Sequence, residues 1–190
     1  MYFPDDMNFQ YFFFNTYPGF FLQALPIALI AGAIFIVWRR QQTPKIPIRR
    51  SVLSSLFVCY FTGLLCITLF YYVLGDIYYF LFYHMPSGRD FYWFNFEYDF
   101  VPDFFHNFGS ENLGNILMFL PFGILYPIFN ERAAWKQTML AGIAASVVIE
   151  LLQPIFGRSF DINDIILNGS GVIISATVYF VLKTVLQRRH

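Results

Sequence analysis

Three acids and one base stand close together in the last third of the chain, in or beside apolar stretches: Glu150, Arg158, Asp161 and Asp164. Amides and a hydroxyl accompany them, at Asn112, Asn115, Ser146, Gln153 and Asn168. Such a set can do two kinds of chemistry. It can hold the charged headgroup of an amphiphile, with the guanidinium taking a phosphate or carboxylate through its planar fork. Or two carboxyls in different surroundings can divide acid and base work. Glu150 is then the catalytic candidate, Arg158 a phosphate clamp, and Asp161 or Asp164 the second carboxylate. Were all three acids ionised, two negative charges would lack a partner. Low dielectric disfavours that, so one acid keeps its proton or a cation or cationic ligand binds. A purely structural role competes: an Arg158–Asp161–Asp164 brace stapling two helix ends, with Glu150 capped by Gln153 or Asn115.

The spacing places each group on one helix face. Asn112 and Asn115 are three apart, Ser146 and Glu150 four, and Gln153 follows three later. Asp161, Asp164 and Asn168 continue at three and four. Residues so spaced are neighbours on a helix. The helices must lie in a membrane. Of 190 residues, 57% are hydrophobic and 13% charged, against roughly 25% charged in soluble domains. A soluble fold could not hide that much apolar surface, whereas lipid lets it face outward. Five stretches are long enough to span, near Pro18–Trp38, Val52–Leu74, Leu113–Phe129, Ala133–Leu152 and Asn163–Leu186. From Ala133, Glu150 rises about 25 Å at the helical pitch, close to the far boundary. Asn115 and Asp164 lie within a turn of the same ends of their spans. A polar cavity at one depth, lined by spans three, four and five, is expected. Pro121 deprives the Leu117 carbonyl of its helical donor and predicts a kink in the third span.

The fold class expected is therefore all-α, a polytopic transmembrane bundle of about five spans. Lys and Arg mark cytoplasmic ends. They cluster at Arg39, Arg40, Lys45, Arg49 and Arg50, at Arg132 and Lys136, and at Lys183, Arg188 and Arg189. That predicts N-out, C-in, with the polar groups on the extracytoplasmic side. The domain plan is a tail over 1–17, two spans over 18–74 with a basic loop at 39–50, an aromatic loop over 75–111, and a three-helix core over 112–190. The loop packs fifteen aromatics among Asp76, Arg89, Asp90, Glu97, Asp99 and Asp103. It is read either as lying at the outer leaflet with one short interfacial helix or as a lid on the bundle. Residues four apart, such as Ala28 and Gly32 or Gly171 and Ser175, let helix backbones approach.

Other classes are disfavoured. A net charge of zero with no broad basic face argues against nucleic acid. The first Lys or Arg is Arg39, so no cleavable signal is expected. Cys59 and Cys66 sit seven apart in one apolar run, about 10 Å along a helix, too far for a disulfide. No His-Glu-x-x-His spacing is present, and neither metal nor cofactor is expected. His84 and His106 lie in the aromatic loop and His190 at the far end, which leaves an enzyme without an evident nucleophile. Transport finds no inverted repeat to support it. The sequence carries no mark of an oligomeric state.

Three blocks also stand in the order of VanZ-like membrane proteins, which the chain resembles from about Asn112 to Ser175. They are Asn115-Ile-Leu-Met-Phe-Leu-Pro121-Phe-Gly123, then Ser146-Val-Val-Ile-Glu150-Leu-Leu-Gln153, then Arg158-Ser-Phe-Asp161-Ile-Asn-Asp164-Ile-Ile-Leu-Asn168-Gly-Ser-Gly171. Asn163 stands where the family often has an acid, and near Ser175 the family often has a glycine. The first two spans add little to the likeness. The resemblance implies a bacterial cytoplasmic-membrane protein of the cell envelope, from a family whose named member is linked to resistance to teicoplanin-type lipoglycopeptides. It implies no reaction. Joined to the site residues, it favours a protein that binds a lipid or lipid-tailed ligand over a membrane-embedded enzyme working on a lipid-linked substrate.

Overall fold

The computed structural model describes residues 8–42, 46–88, 92–106 and 108–188. Asp5, Asp6, Lys45, Arg89, Asp90, Arg189 and His190 lie outside the described residues. The elements are α1 (Phe9–Asn15), α2 (Tyr17–Gln42), α3 (Ile48–Thr68), α4 (Tyr71–Tyr83), β1 (Tyr98–Asp99), α5 (Ser110–Phe129), α6 (Trp135–Leu152), β2 (Phe160–Asp161) and α7 (Ile162–Gln187). A single 3-10 turn, Gln153–Phe156, extends α6. Five helices, α2, α3, α5, α6 with its extension, and α7, are long and apolar enough to cross a membrane. Their outward faces carry large apolar side chains, including Ile30 and Ile34 on α2 and Ile174, Val178 and Leu182 on α7. Water would penalise such faces and hydrocarbon does not.

Small residues set the helix spacing. A side chain at Gly171 would meet the Ile116 carbonyl, and one at Gly123 would meet Ser175 and the backbone at Ala176. Gly142 similarly admits Val172, and Gly32 the Cys59 sulfur. In lipid no hydrophobic force drives helices together, so close backbone approach and its dispersion gain do that work. The core at the centre of α3, α5, α6 and α7 is Leu64, Phe119, Phe122, Ile149 and Val172.

Three features depart from or refine the expected plan. The second span stops at Thr68, short of Leu74, and the chain restarts as α4 at Tyr71. The Thr68 hydroxyl turns back to the Leu64 carbonyl at 2.8 Å, and the Phe70 amide falls back to Leu65 and Cys66. The Thr68 carbonyl is thereby released from the helical ladder. Secondly, α5 runs through Pro121 as one helix, with Tyr60 of α3 serving the disturbed turn. The Tyr60 hydroxyl donates to the Met118 carbonyl at 2.8 Å and its oxygen faces the Phe122 amide. Insertion of a side chain into the ladder is one way a proline-bearing helix keeps its backbone satisfied in lipid. Thirdly, α1 folds back on α2 and α4. Gln23, buried on α2, donates to the Phe13 carbonyl at 2.6 Å, and Tyr78 of α4 donates to the Gln23 carbonyl at 3.1 Å. Burial there pushes the Tyr78 phenol above its ordinary pKa.

The aromatic segment is a lid on the α6–α7 connection. β1 pairs with β2 in parallel, Tyr98 opposite Phe160 and Asp99 opposite Asp161. The Asn95 amide donates to the Pro154 carbonyl at 2.9 Å and the Phe160 amide to the Glu97 carbonyl at 2.9 Å. The rings of Trp93 and Phe156 meet at 5.7 Å between centroids, and those of Phe100 and Phe160 at 5.2 Å.

Candidate functional site

The polar residues singled out in the sequence gather at one end of the bundle, from the first two turns of α5 and α7, the last two turns of α6 and the connection between α6 and α7. Their order along two antiparallel helices makes a ladder. At the deeper level, the Asn168 amide donates to the Ser146 hydroxyl at 3.0 Å. One turn nearer the surface, Glu150 on α6 and Asp164 on α7 lie within electrostatic reach of each other. Asn115 of α5 donates to Asp164. Glu150 is 1% exposed and accepts a long bond, 3.4 Å, from the Asp161 amide. Asp161 is the N-cap of α7, its carboxylate accepting from the Asn163 amide at 2.7 Å. Asn112 stands half-buried one turn before Asn115.

Two side-chain oxygens in this region, Gln153 Oε1 and Asn168 Oδ1, are buried and meet no donor. A buried acceptor without a donor costs about 1–3 kcal/mol. Oxygens are therefore in excess over donors around Glu150, which suits a ligand bringing N–H or O–H groups.

Arg158 follows Gly157, whose φ of 79° closes the 3-10 turn. Its amide donates to the Gln153 carbonyl at 3.1 Å. Its guanidinium turns toward α3 and α4. Nη1 donates to the released Thr68 carbonyl at 3.3 Å, and the group lies 5.7 Å from the centroid of the Tyr71 ring. The expected Arg158–Asp161–Asp164 brace is not formed. Among the described residues the ion pair within 4.0 Å joins Arg50 and Glu131, at the other end of the molecule. Arg158 acts on Glu150 and Asp164 through space only. Nor is Glu150 capped by Asn115, which is taken by Asp164. The reason is directional: the break after Thr68 offers the guanidinium a carbonyl with no helical partner.

Four participants escaped the sequence reading of the site. Thr68 and Tyr71 hold Arg158 because of a helix break that no spacing announces. Asp103 and Asn163 lock the lid to α7 by a reciprocal pair, Asp103 N–H to Asn163 Oδ1 at 3.1 Å and Asn163 Nδ2 to Asp103 Oδ1 at 2.8 Å. Both are polar residues in aromatic or apolar surroundings, and that was the available signal.

An apolar five-helix bundle with one buried polar end defines a multi-pass membrane protein. The VanZ/LLP1 family matches residues 27–183, and the chain belongs to that family. The match begins inside α2, so it takes in the first two spans as well as the three motif-bearing helices. Comparison with curated proteins finds no match, and comparison with solved structures finds none either.

Proposed function

We propose that this protein sits in the bacterial cytoplasmic membrane and binds a lipid or lipid-tailed ligand at the polar end of the bundle, facing the extracytoplasmic side. The observation that carries the reading is Arg158. Its guanidinium is half-buried, held from behind by the Thr68 carbonyl and the Tyr71 ring, and no carboxylate of the described residues comes within 4.0 Å. A guanidinium held in place beside a membrane without direct contact to a carboxylate is a phosphate or carboxylate clamp in waiting. Asp161, Asp164 and Glu150, with Asn112, Asn115, Ser146, Gln153 and Asn168, offer acceptors to amino or hydroxyl groups of the same headgroup. The lid supplies aromatic surface above. Family membership supports an envelope role, and sequestration of a lipoglycopeptide such as teicoplanin from its target is the form that role takes in this reading.

The test is binding of dihexanoyl phosphatidylethanolamine, a short-tailed amphiphile with one phosphate and one ammonium, to purified protein in nanodiscs. Arg158→Gln is expected to weaken binding at least tenfold at unchanged protein yield. Equal binding by the variant would defeat the clamp. A second reading has its own observation: Glu150 on α6 and Asp164 on α7, two carboxyls within electrostatic reach of each other, could serve as acid and base on a lipid-linked substrate. Turnover of such a substrate by the purified protein, lost in Glu150→Gln, would replace the binding reading with this one.

A further inference from the structure

A second space lies beside the polar end, and neither the motif residues nor the family assign it a role. It is a cavity of about 400 Å³ bounded by α2, α3 and α5. α2 and α5 both pack on α3 and make little contact with each other, which leaves a groove between them. Ala24 and Gly63 keep it open, while Phe21, Ile67 and Leu117 form its end nearest the polar cluster. The one hydroxyl in its wall, that of Tyr60, is spent on the Met118 carbonyl, so the lining presents hydrocarbon.

The groove and the residues that hold the guanidinium are neighbours along α3 and α2. Ile67 lines the groove, and the carbonyl of the next residue, Thr68, holds Arg158. Phe21 lies one turn from Tyr17, which is in electrostatic reach of both Arg158 and Glu111. From Phe21 to Leu29, the span of α2 that lines the cavity, the helical rise is about 12 Å. An apolar slot whose end lies near a cation with no carboxylate of the described residues within 4.0 Å, and which runs toward the middle of the bilayer, suits a lipid, headgroup first. The surplus of carboxylates around that cation further selects a headgroup that carries an ammonium as well as a phosphate.

We propose that the α2–α3–α5 groove takes a hydrocarbon tail of an amine-bearing glycerophospholipid whose phosphate engages Arg158. The proposal rests on the headgroup reading above and adds to it the tail site and the class of lipid. Burying a tail there removes it from the fluid bilayer into fixed walls, so the contribution is contact and orientation rather than escape from water.

The experiment uses phosphatidylethanolamine carrying a photoreactive diazirine in one acyl chain, with the full chain in nanodiscs. Label is expected on the segments Phe21–Leu29 and Cys59–Ile67, and at least fivefold less of it with the phosphatidylcholine analogue, whose headgroup has no N–H. Gly63→Leu should fill the groove. A Cβ at Gly63 meets only the Ala28 Cβ, at 3.8 Å, so the backbone accepts the change. It should cut labelling of both segments at least fivefold. Leu117→Trp, at an exposed rim position, should reproduce the loss if Gly63→Leu accumulates poorly. Labelling spread evenly over all lipid-facing helices, equal labelling by the choline probe, or undiminished labelling in both variants would overturn the proposal. If those failures occur while Arg158→Gln still abolishes dihexanoyl-lipid binding, the headgroup reading survives alone. If Arg158→Gln has no effect on either probe, both fall.

Discussion

Glu150 is the residue on which binding, catalysis and bracing make different predictions. Its carboxyl is enclosed, receives one long backbone bond, and lies within electrostatic reach of a second carboxyl on α7. No cation of the described residues lies within 4.0 Å of it. A brace would lose stability when the acid is removed. Here the carboxyl has no cation of the described residues within 4.0 Å to brace against, and ionising it there is a cost. Glu150→Gln keeps the shape and removes that cost. Its melting temperature in detergent is expected to equal or exceed that of the unaltered protein, while dihexanoyl phosphatidylethanolamine binding falls about tenfold, close to 1.4 kcal/mol. A drop of several degrees with unchanged binding would return Glu150 to a structural role. The same reasoning separates lysine from arginine at position 158. Lysine keeps the charge, but a single ammonium cannot both hold the Thr68 carbonyl and fork onto a phosphate. Arg158→Lys should therefore recover less than half of the binding lost in Arg158→Gln.

At the scale of elements, the spans were legible because length and hydropathy are properties of a segment alone. The expected start of the first span, Pro18, and the end of the third, Phe129, fall within a residue of the observed helix ends. Helix faces were legible for the same reason, since spacings of three and four need no partner to be read. What could not be read is partner choice. Arg158 turns to Thr68 because α3 breaks there, and the break depends on hydroxyl and amide bonds formed only once the chain is folded. The lid docks by backbone pairing of β1 with β2, two residues each, too short for any alternation to announce. These elements carry two predictions. Tyr60→Phe removes the donor to the Met118 carbonyl in the turn disturbed by Pro121 and should cost about 1 kcal/mol in unfolding measurements, the usual net worth of a hydrogen bond. Asn163→Ala removes both bonds to Asp103 and spares the cap, because the residue's own amide still reaches Asp161. Amide exchange over residues 98–103 should then quicken at least tenfold, with the α5–α7 core unchanged. If exchange there stays slow, the aromatic rings rather than the Asp103–Asn163 pair hold the lid.

For the whole molecule, the alternation of five spans puts the motif carboxylates and Arg158 at one end and the other described Lys and Arg residues at the opposite end. Arg50 at the start of α3 pairs with Glu131 in the α5–α6 turn, and Arg39 and Arg40 at the end of α2, Arg132 in that turn and Lys136 at the start of α6 belong to the same end. Lys and Arg resist translocation, so this end should face the cytoplasm and the polar cluster the exterior. The functional reading depends on that orientation, since an inward-facing cluster could not meet a ligand arriving from outside. The measurement is labelling in intact cells with a membrane-impermeant maleimide, in a background where Cys59 and Cys66 are replaced by alanine. Ser159→Cys sits at an exposed position beside Arg158, and Gln41→Cys at an exposed position near the end of α2. Ser159→Cys should label in intact cells. Gln41→Cys should label only after the membrane is permeabilised, with at least a tenfold difference between the two conditions. The reverse pattern would put Arg158 and its acids on the cytoplasmic side. The groove and clamp could then still bind a lipid, but one drawn from the inner leaflet, and the link to an extracellular lipoglycopeptide would be lost.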